Sequence, residues 1–135
     1  MRILGIDYGT LRVGLALSDE SGQFAFPLET LPNDPHLLEN IAHVISDKDV
    51  GEVAIGDTRA EGGASNNITE FADRFREALA TRTKIPVHAV REAWSSVEAS
   101  RFAPKGHERD DAASAAIILQ RFLDMHKGVT NKKEG

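Results

Sequence analysis

Three acidic residues lie where a metal-dependent hydrolase would need them. Asp7 follows the apolar run "ILGI", Glu92 comes shortly after "IPVHAV", and Asp111 opens the segment "DAASAAIIL". Three carboxylates that converge in one cleft repel one another, so they must either take up protons or hold cations. Hard oxygen ligands suit Mg²⁺ or Mn²⁺, and two such ions about 3.5–4 Å apart can hold a scissile phosphate and activate water. The pattern therefore favours metal-dependent hydrolysis of a phosphodiester bond.

Each of the three acids also fits a purely structural role. Asp7 can cap the turn that follows it through bonds to the backbone. Glu92 can be an exposed loop acid, and Asp111 can be a second N-cap residue or an acid that interacts with the helix dipole. The metal hypothesis depends on their convergence, because each acid taken alone leaves both interpretations open.

A fourth acid and four basic residues extend the candidate site. Asp57 follows Gly56 at the end of another predicted strand, although an Asp in "GDTRAEGG" is more typical of a turn. Contacts to a nucleic-acid backbone come mostly from basic and polar side chains, and ordinary surface charge is the alternative for any single basic residue. The candidates for binding phosphates are Arg12, Arg59, Lys105 and Arg109.

The elements that must position these residues follow from hydrophobic periodicity. Residues 2–7 and 12–18 predict two strands of a hairpin, and 23–30 predict a third strand at a sheet edge, because Pro27 cannot donate to a ladder. Asp34 is predicted to cap the first helix. The remaining predictions are helices at 34–47, 67–82, 95–103 and 110–126 and strands at 52–56 and 86–90.

This order predicts an α/β fold with a mixed five-stranded sheet, in which an antiparallel hairpin meander is joined to parallel strands and helices cover both faces. Sites in such sheets gather at the carboxyl ends of the parallel strands. In the last helix, Asp111 shares one face with Ala115, Ile118 and Phe122. This is the apolar face, so we expect Asp111 to point inward, towards the sheet.

Length, composition and charge limit the class of protein. The chain has 135 residues and no cysteine, which excludes disulfides and thiolate metal sites. We expect one domain at 1–127 with a flexible polar tail at 128–135, and no signal peptide and no membrane span, hence a cytoplasmic protein. We also expect a monomer or a weak homodimer. The net charge of −5 predicts weak, local and salt-sensitive substrate binding instead of a broad basic groove.

Three stretches together resemble one known family. "GIDYGTLRVGLALSD", "REAWSSVEA" and "DDAASAAIIL" are similar to motifs of the YqgF family, also called RuvX, of Holliday junction resolvases. The resemblance covers nearly the whole chain except its tail. It implies a ribonuclease H-like fold and a nuclease that processes the 5′ end of precursor 16S ribosomal RNA or cleaves branched DNA. It also implies that Asp7, Glu92 and Asp111 are the catalytic acids.

The sequence departs from the family pattern at three places. Leu11 stands where the family usually has Lys, while Arg12 is kept, and residues 56–58, "GDT", replace a "GLP" loop. The family's "DER" stretch becomes Arg91-Glu92-Ala93. These changes concern phosphate binding more than the metal site. We hypothesise that Asp57 partly replaces a lost contact.

Two other classes of function fit parts of the sequence. An actin-like or sugar-kinase-like nucleotide binder also carries an Asp-x-Gly-Thr phosphate loop between two strands, but it needs two similar domains and a second Asp-Gly loop. A catalytically impaired nucleic-acid-binding module of the same fold is the other alternative, because of the changes at Arg91 and Ala93.

Overall fold

The described part of the chain forms a five-stranded sheet with helices on both sides. The computed structural model describes the backbone of residues 1–9, 11–57, 67–91 and 111–134, with side chains throughout except at 57, 67–69, 91 and 126–134. The strands are β1 (Arg2–Tyr8), β2 (Arg12–Ser18), β3 (Ala25–Pro32), β4 (Val50–Asp57) and β5 (Val87–Arg91). The helices are α1 (Leu37–Asp47), α2 (Asn67–Thr83) and α3 (Asp111–Glu134).

The sheet is mixed, as the sequence predicts. Its strand order is β3-β2-β1-β4-β5. The first three strands form an antiparallel meander, and β4 runs parallel to both β1 and β5. β3 lies at an edge, which confirms the position inferred from Pro27, and the β2–β3 pairing shifts register between Leu15 and Ala16. The carboxyl ends of β1, β4 and β5 therefore share one edge with the amino end of β2.

The two faces of the sheet carry side chains of different size. One face packs against α1 and α2 through large aliphatic residues such as Leu4, Ile6 and Leu15, all fully buried. The opposite face packs against α3 and includes the small residues Ala16 and Ala54. Because strand side chains alternate between faces, the odd-numbered β1 residues 3, 5 and 7 belong to the α3 face.

Several element bounds differ from the sequence predictions, and the start of α1 is one of them. α1 begins at Leu37 with His36 at the N-cap position, so the assignment of Asp34 as the helix cap is wrong. Asp34 instead accepts a hydrogen bond from the His36 backbone N–H at 2.9 Å, which caps the turn before the helix, as Asp does in Asx turns.

The last helix is longer than the sequence predicts. α3 continues to Glu134, so the backbone of 128–134 is helical and no separate extension leaves the helix at 127. The division into a domain at 1–127 and a flexible tail stays a prediction. The predicted short helix at 95–103 lies outside the described residues. Among the described helices, none combines the length and apolar character that crossing a membrane requires.

Candidate active site

Asp7 is a buried acid near the end of a central strand. Its exposed fraction is only 5%, and it lies on the α3 face of β1, between neighbours that belong to the sheet interior. A carboxylate removed from water needs compensation by hydrogen bonds, opposite charge or a proton. Across the hairpin, Asp7 pairs directly with Gly14 of β2, which places the two Cα atoms about 4.5–5.5 Å apart.

Gly14 also lets the start of α3 approach β2 closely, next to the strand partner of Asp7. A Cβ atom at Gly14 would lie 1.8 Å from the carbonyl oxygen of Asp111 and 2.8 Å from the backbone nitrogen of Ala112. Only a residue without a side chain permits this approach. The strand pairing and the helix contact therefore place Asp7 and Asp111 next to the same glycine.

The apolar stripe of α3 explains why its first residue faces the sheet. Ala115, Ile118 and Phe122 are 0%, 2% and 4% exposed, which agrees with the face inferred from their spacing. Gly5 allows a second close approach, because a Cβ there would lie 2.6 Å from the Leu119 Cβ. The helix is thus held against the sheet along its length, and the Asp111 side chain is only 11% exposed.

Arg12 is a basic residue that contacts Asp111. Its Nε lies 3.3 Å from Oδ2 of Asp111, and its side chain is 56% exposed. Ion pairs with a solvent-exposed partner contribute only about 0–1 kcal/mol. The pair therefore neutralises the charge of Asp111 without fixing the position of the guanidinium strongly.

The turn between β1 and β2 is held from a third strand. Asn33, which follows β3, donates from Nδ2 to the Gly9 carbonyl oxygen at 2.7 Å and from its backbone N–H to the Leu11 carbonyl oxygen at 2.9 Å. On the other side of the sheet the Tyr8 ring packs on Phe75, with the ring centroids 5.3 Å apart. These contacts hold the backbone on both sides of the turn next to Asp7 and Arg12.

Asp19 shows what an acid with a structural role looks like in this fold. It follows β2 at the opposite edge of the sheet, where its carboxylate accepts hydrogen bonds from the Ser21 hydroxyl and from the backbone N–H groups of Gln23 and Phe24. The hydrogen bond from Ser21, followed by those from the backbone, lowers the pKa of Asp19 from 3.8 to about 2. Asp19 organises its own loop.

The structure brings together part of the predicted site. Asp7 and Asp111 both lie next to Gly14, and Arg12 contacts Asp111. The backbone of Asp57 lies at the same edge, paired in register with Arg91. No group of three metal-ligating side chains occurs within the residues described. The predicted residues that lie outside them are Glu92, Arg59, Lys105 and Arg109.

Two positioning residues escaped the sequence analysis. Gly14 had a signal, because a glycine that interrupts a buried strand often marks a close backbone approach. Asn33 had none, since its partners at 9 and 11 are brought near it only by the β2–β3 pairing.

Solved structures share this architecture. Thermus thermophilus RuvC in complex with a Holliday junction substrate superimposes with a TM-score of 0.62 at 19% identity, covering 95% of this chain and 96% of that one. The fowlpox virus Holliday junction resolvase gives a TM-score of 0.60 at 13% identity, covering 93% and 99%. At these identities the likeness establishes the fold, and it confirms the expected ribonuclease H-like class.

Comparison of sequences establishes the family. The family described as "RuvX: Holliday junction resolvase" matches residues 1–125. Two bacterial relatives carry the name "Putative pre-16S rRNA nuclease". The one from Chlorobium luteolum is 38% identical over 94% of this chain and 96% of its own length, and the one from Koribacter versatilis is 37% identical over 91% and 86%. The chain therefore belongs to the RuvX family of resolvase-like nucleases.

Proposed function

We propose that this protein is a divalent-metal-dependent nuclease that hydrolyses phosphodiester bonds during processing of the 5′ end of precursor 16S ribosomal RNA. The observation that carries the proposal is the placement of Asp7 and Asp111 next to the same residue, Gly14. Two acids far apart in the chain are held at one point by backbone contacts. The names of the curated relatives support the choice of substrate.

The donor set fits a hard divalent cation. Asp7 and Asp111 offer only oxygen atoms, and the chain contains no cysteine, so Mg²⁺ or Mn²⁺ suits the site better than a thiophilic metal. Glu92 is the third ligand in this proposal, and Asp57 is a fourth that would replace a missing family contact.

The residues of the chain have distinct roles in the proposed reaction. Asp7 and Asp111 would hold the ions, which supply an activated water and neutralise charge on the phosphate. Burial of Asp7 limits its access to water, and the close approach at Gly14 keeps Asp111 beside it. The half-exposed guanidinium of Arg12 is placed to bind a phosphate oxygen, as arginine does well through its several donors. Arg59, Lys105 and Arg109 would add contacts to the backbone of the substrate.

Branched DNA is a second candidate substrate. The family description names Holliday junction resolvases, and the same two-acid site could hydrolyse a DNA strand. The net charge of −5 disfavours an extended non-specific interface, because affinity for nucleic acid comes largely from phosphate neutralisation. Binding to either substrate should therefore weaken as salt increases, with a slope set by the small number of phosphates that the local basic residues contact.

The decisive test compares the wild type with Asp7→Asn, which keeps the shape of the side chain and removes its charge. The substrates are a precursor 16S 5′-end RNA and a four-way DNA junction, each with Mg²⁺, Mn²⁺ or EDTA. We expect wild-type cleavage only with metal. Changes that merely support metal ligands cost 10–100-fold, so loss of a ligand should lower the rate by about 100-fold or more.

Thermal unfolding of the wild type, Asp7→Asn and a control variant, Asp19→Asn, reports metal binding directly. Cations that bind only the folded state stabilise it, by about 2.7 kcal/mol at 100 times the dissociation constant. Millimolar Mn²⁺ should raise the melting temperature of the wild type and of the control Asp19→Asn, but not that of Asp7→Asn. If the wild type binds the nucleic-acid substrate but does not cleave it, the protein is a non-catalytic binding module. If Asp7→Asn cleaves as well as the wild type, the cleavage comes from a contaminant.

A further inference from the structure

The ion pair between Arg12 and Asp111 places a cation of the protein where a metal ion would bind. Arg12 is the first residue of β2, Asp111 is the first residue of α3, and 3.3 Å separate Nε from Oδ2. The two side chains differ in freedom, because Asp111 is 11% exposed and Arg12 is 56% exposed. Of the two partners, only the arginine has room to move away into solvent.

The backbones of both residues are fixed, so any exchange must occur through the side chain. Asp111 cannot retreat easily, because its carbonyl oxygen lies against Gly14. Arg12 is paired across the sheet with Pro32, and the preceding turn is held through Leu11 by Asn33. Rotation of the arginine side chain is the movement that leaves all of these contacts intact.

We propose that Arg12 is an exchangeable counter-ion, which occupies Asp111 in the metal-free protein and is displaced when a divalent cation binds. The inference rests on the metal site of the proposed function. A guanidinium and a divalent cation at the same carboxylate repel each other, and each also competes for its oxygen atoms. Arg12 therefore lowers the affinity of the free protein for metal while it compensates the charge of Asp111 in the absence of metal.

The exchange links metal binding to the state of Arg12. By thermodynamic reciprocity, whatever draws the arginine away from Asp111 strengthens metal binding by the same factor by which metal binding releases the arginine. A phosphate group is the chemical class that a released arginine binds well. Arg12 is thus a positioning residue that acts through Asp111, in addition to its proposed contact with the substrate.

Titration of the full-length, nucleic-acid-free protein with Mn²⁺ in a calorimeter tests the exchange. The variants are Arg12→Gln, Arg12→Lys and Asp7→Asn. The matched control is Arg2→Gln, because Arg2 is also ion-paired, with Glu20 at 3.8 Å, but lies at the opposite end of β1. Since partly exposed ion pairs are weak, we expect Arg12→Gln to bind Mn²⁺ about two- to fivefold more tightly than the wild type. The Mn²⁺ affinity of Arg12→Lys should lie between those of Arg12→Gln and the wild type, and the affinity of Arg2→Gln should equal that of the wild type.

Thermal unfolding gives an independent readout. In EDTA, Arg12→Gln should melt below the wild type, because Asp111 loses its counter-ion, and saturating Mn²⁺ should narrow or reverse that difference in melting temperature. A purely structural role for Arg12 would leave the difference the same with and without metal.

The other outcomes separate this inference from the proposed function. Equal or weaker Mn²⁺ binding by Arg12→Gln, with binding still lost in Asp7→Asn, overturns the exchange and leaves the metal site intact. Equal tightening in Arg12→Gln and Arg2→Gln overturns it too, because it would reflect net charge alone. If the wild type and Asp7→Asn do not differ, the metal site fails and the exchange fails with it.

Discussion

The two faces of the sheet contribute different properties to the protein. The face towards α1 and α2 buries large aliphatic side chains, with Leu4, Ile6 and Leu15 fully buried in one cluster. The face towards α3 is lined where β1 and β2 meet the helix by Gly5 and Gly14, which let the helix approach the strands closely. The first face gains stability from buried apolar area. The second gains precise placement of a helix end, and that end carries Asp111.

This difference explains why the acids belong to the α3 face. Contact through large side chains reaches the backbone only through rotatable bonds, so an apolar interface leaves some freedom to the elements that it joins. Contact between a strand backbone and a helix backbone leaves much less. A site that needs two carboxylates at a defined separation is therefore better built where glycines fix the helix.

The largest expected effect on stability comes from the aliphatic face. Leu15 is fully buried there, and its replacement removes apolar contacts and leaves a cavity. We expect Leu15→Ala to lower the free energy of unfolding by about 2–5 kcal/mol, measured by urea denaturation. The rise in melting temperature caused by Mn²⁺ should survive, because the α3 face is unchanged. Loss of that rise in a folded Leu15→Ala protein would show that the faces are not independent.

A smaller loss of stability with a larger effect on the site is expected at Gly14. In Gly14→Ala the new methyl group would meet backbone atoms of Asp111, at 1.8 Å for the carbonyl oxygen, so the start of α3 must shift. Overpacking of this kind costs about 1–3 kcal/mol. We expect the Mn²⁺-dependent rise in melting temperature to be lost while the protein remains folded.

Gly51→Ala is the matched control for the Gly14 variant. A Cβ at Gly51 would meet Sδ of Met1 at 2.5 Å, but Met1 is 81% exposed and its flexible side chain can move aside. This variant should keep both its stability and its response to Mn²⁺. A normal Mn²⁺ response in Gly14→Ala would contradict the view that the close approach positions Asp111.

Much of the fold could be predicted from the sequence because its signals are local. The predicted bounds of β2 agree with Arg12–Ser18, since an apolar run between turn residues needs no tertiary information. The start of α1 was misplaced because Asp34 fits both a helix cap and an Asx turn. The extension of α3 to Glu134 was missed because its last residues are polar and show no apolar periodicity.

The site could be predicted only in part. The apolar spacing of α3 indicated that Asp111 faces the sheet, and strand direction indicated which edge carries Asp7. The ion pair from Arg12 and the hydrogen bonds from Asn33 could not be inferred, because they join residues that only the folded sheet brings together. The roles of Glu92 and Asp57 in metal binding stay predictions.

The smallest expected effect lies on the outside of the aliphatic side, where α1 and α2 are joined by a two-point ion pair. Arg82 donates from Nε and Nη2 to the two carboxylate oxygens of Glu39, each at 2.9 Å. The hydrogen bonds from Arg82, and then its charge, lower the pKa of Glu39 from its ordinary value of 4.5. A carboxyl group whose pKa is lower in the folded state stabilises the fold above its unfolded pKa, and this contribution is lost as the pH falls through the folded pKa.

Glu39→Gln should therefore be slightly less stable than the wild type at pH 7, and the difference should disappear at acidic pH. Urea denaturation midpoints measured from pH 7 to about 3 follow this loss across the range in which carboxyl groups titrate. A difference that persists at the acidic end would mean that the glutamine disturbs helix packing and that charge is not the cause. Because the pair lies on the side of the sheet away from α3, the response to Mn²⁺ should equal that of the wild type at every pH. Any change in that response would show that the aliphatic face helps to set the geometry of the acids.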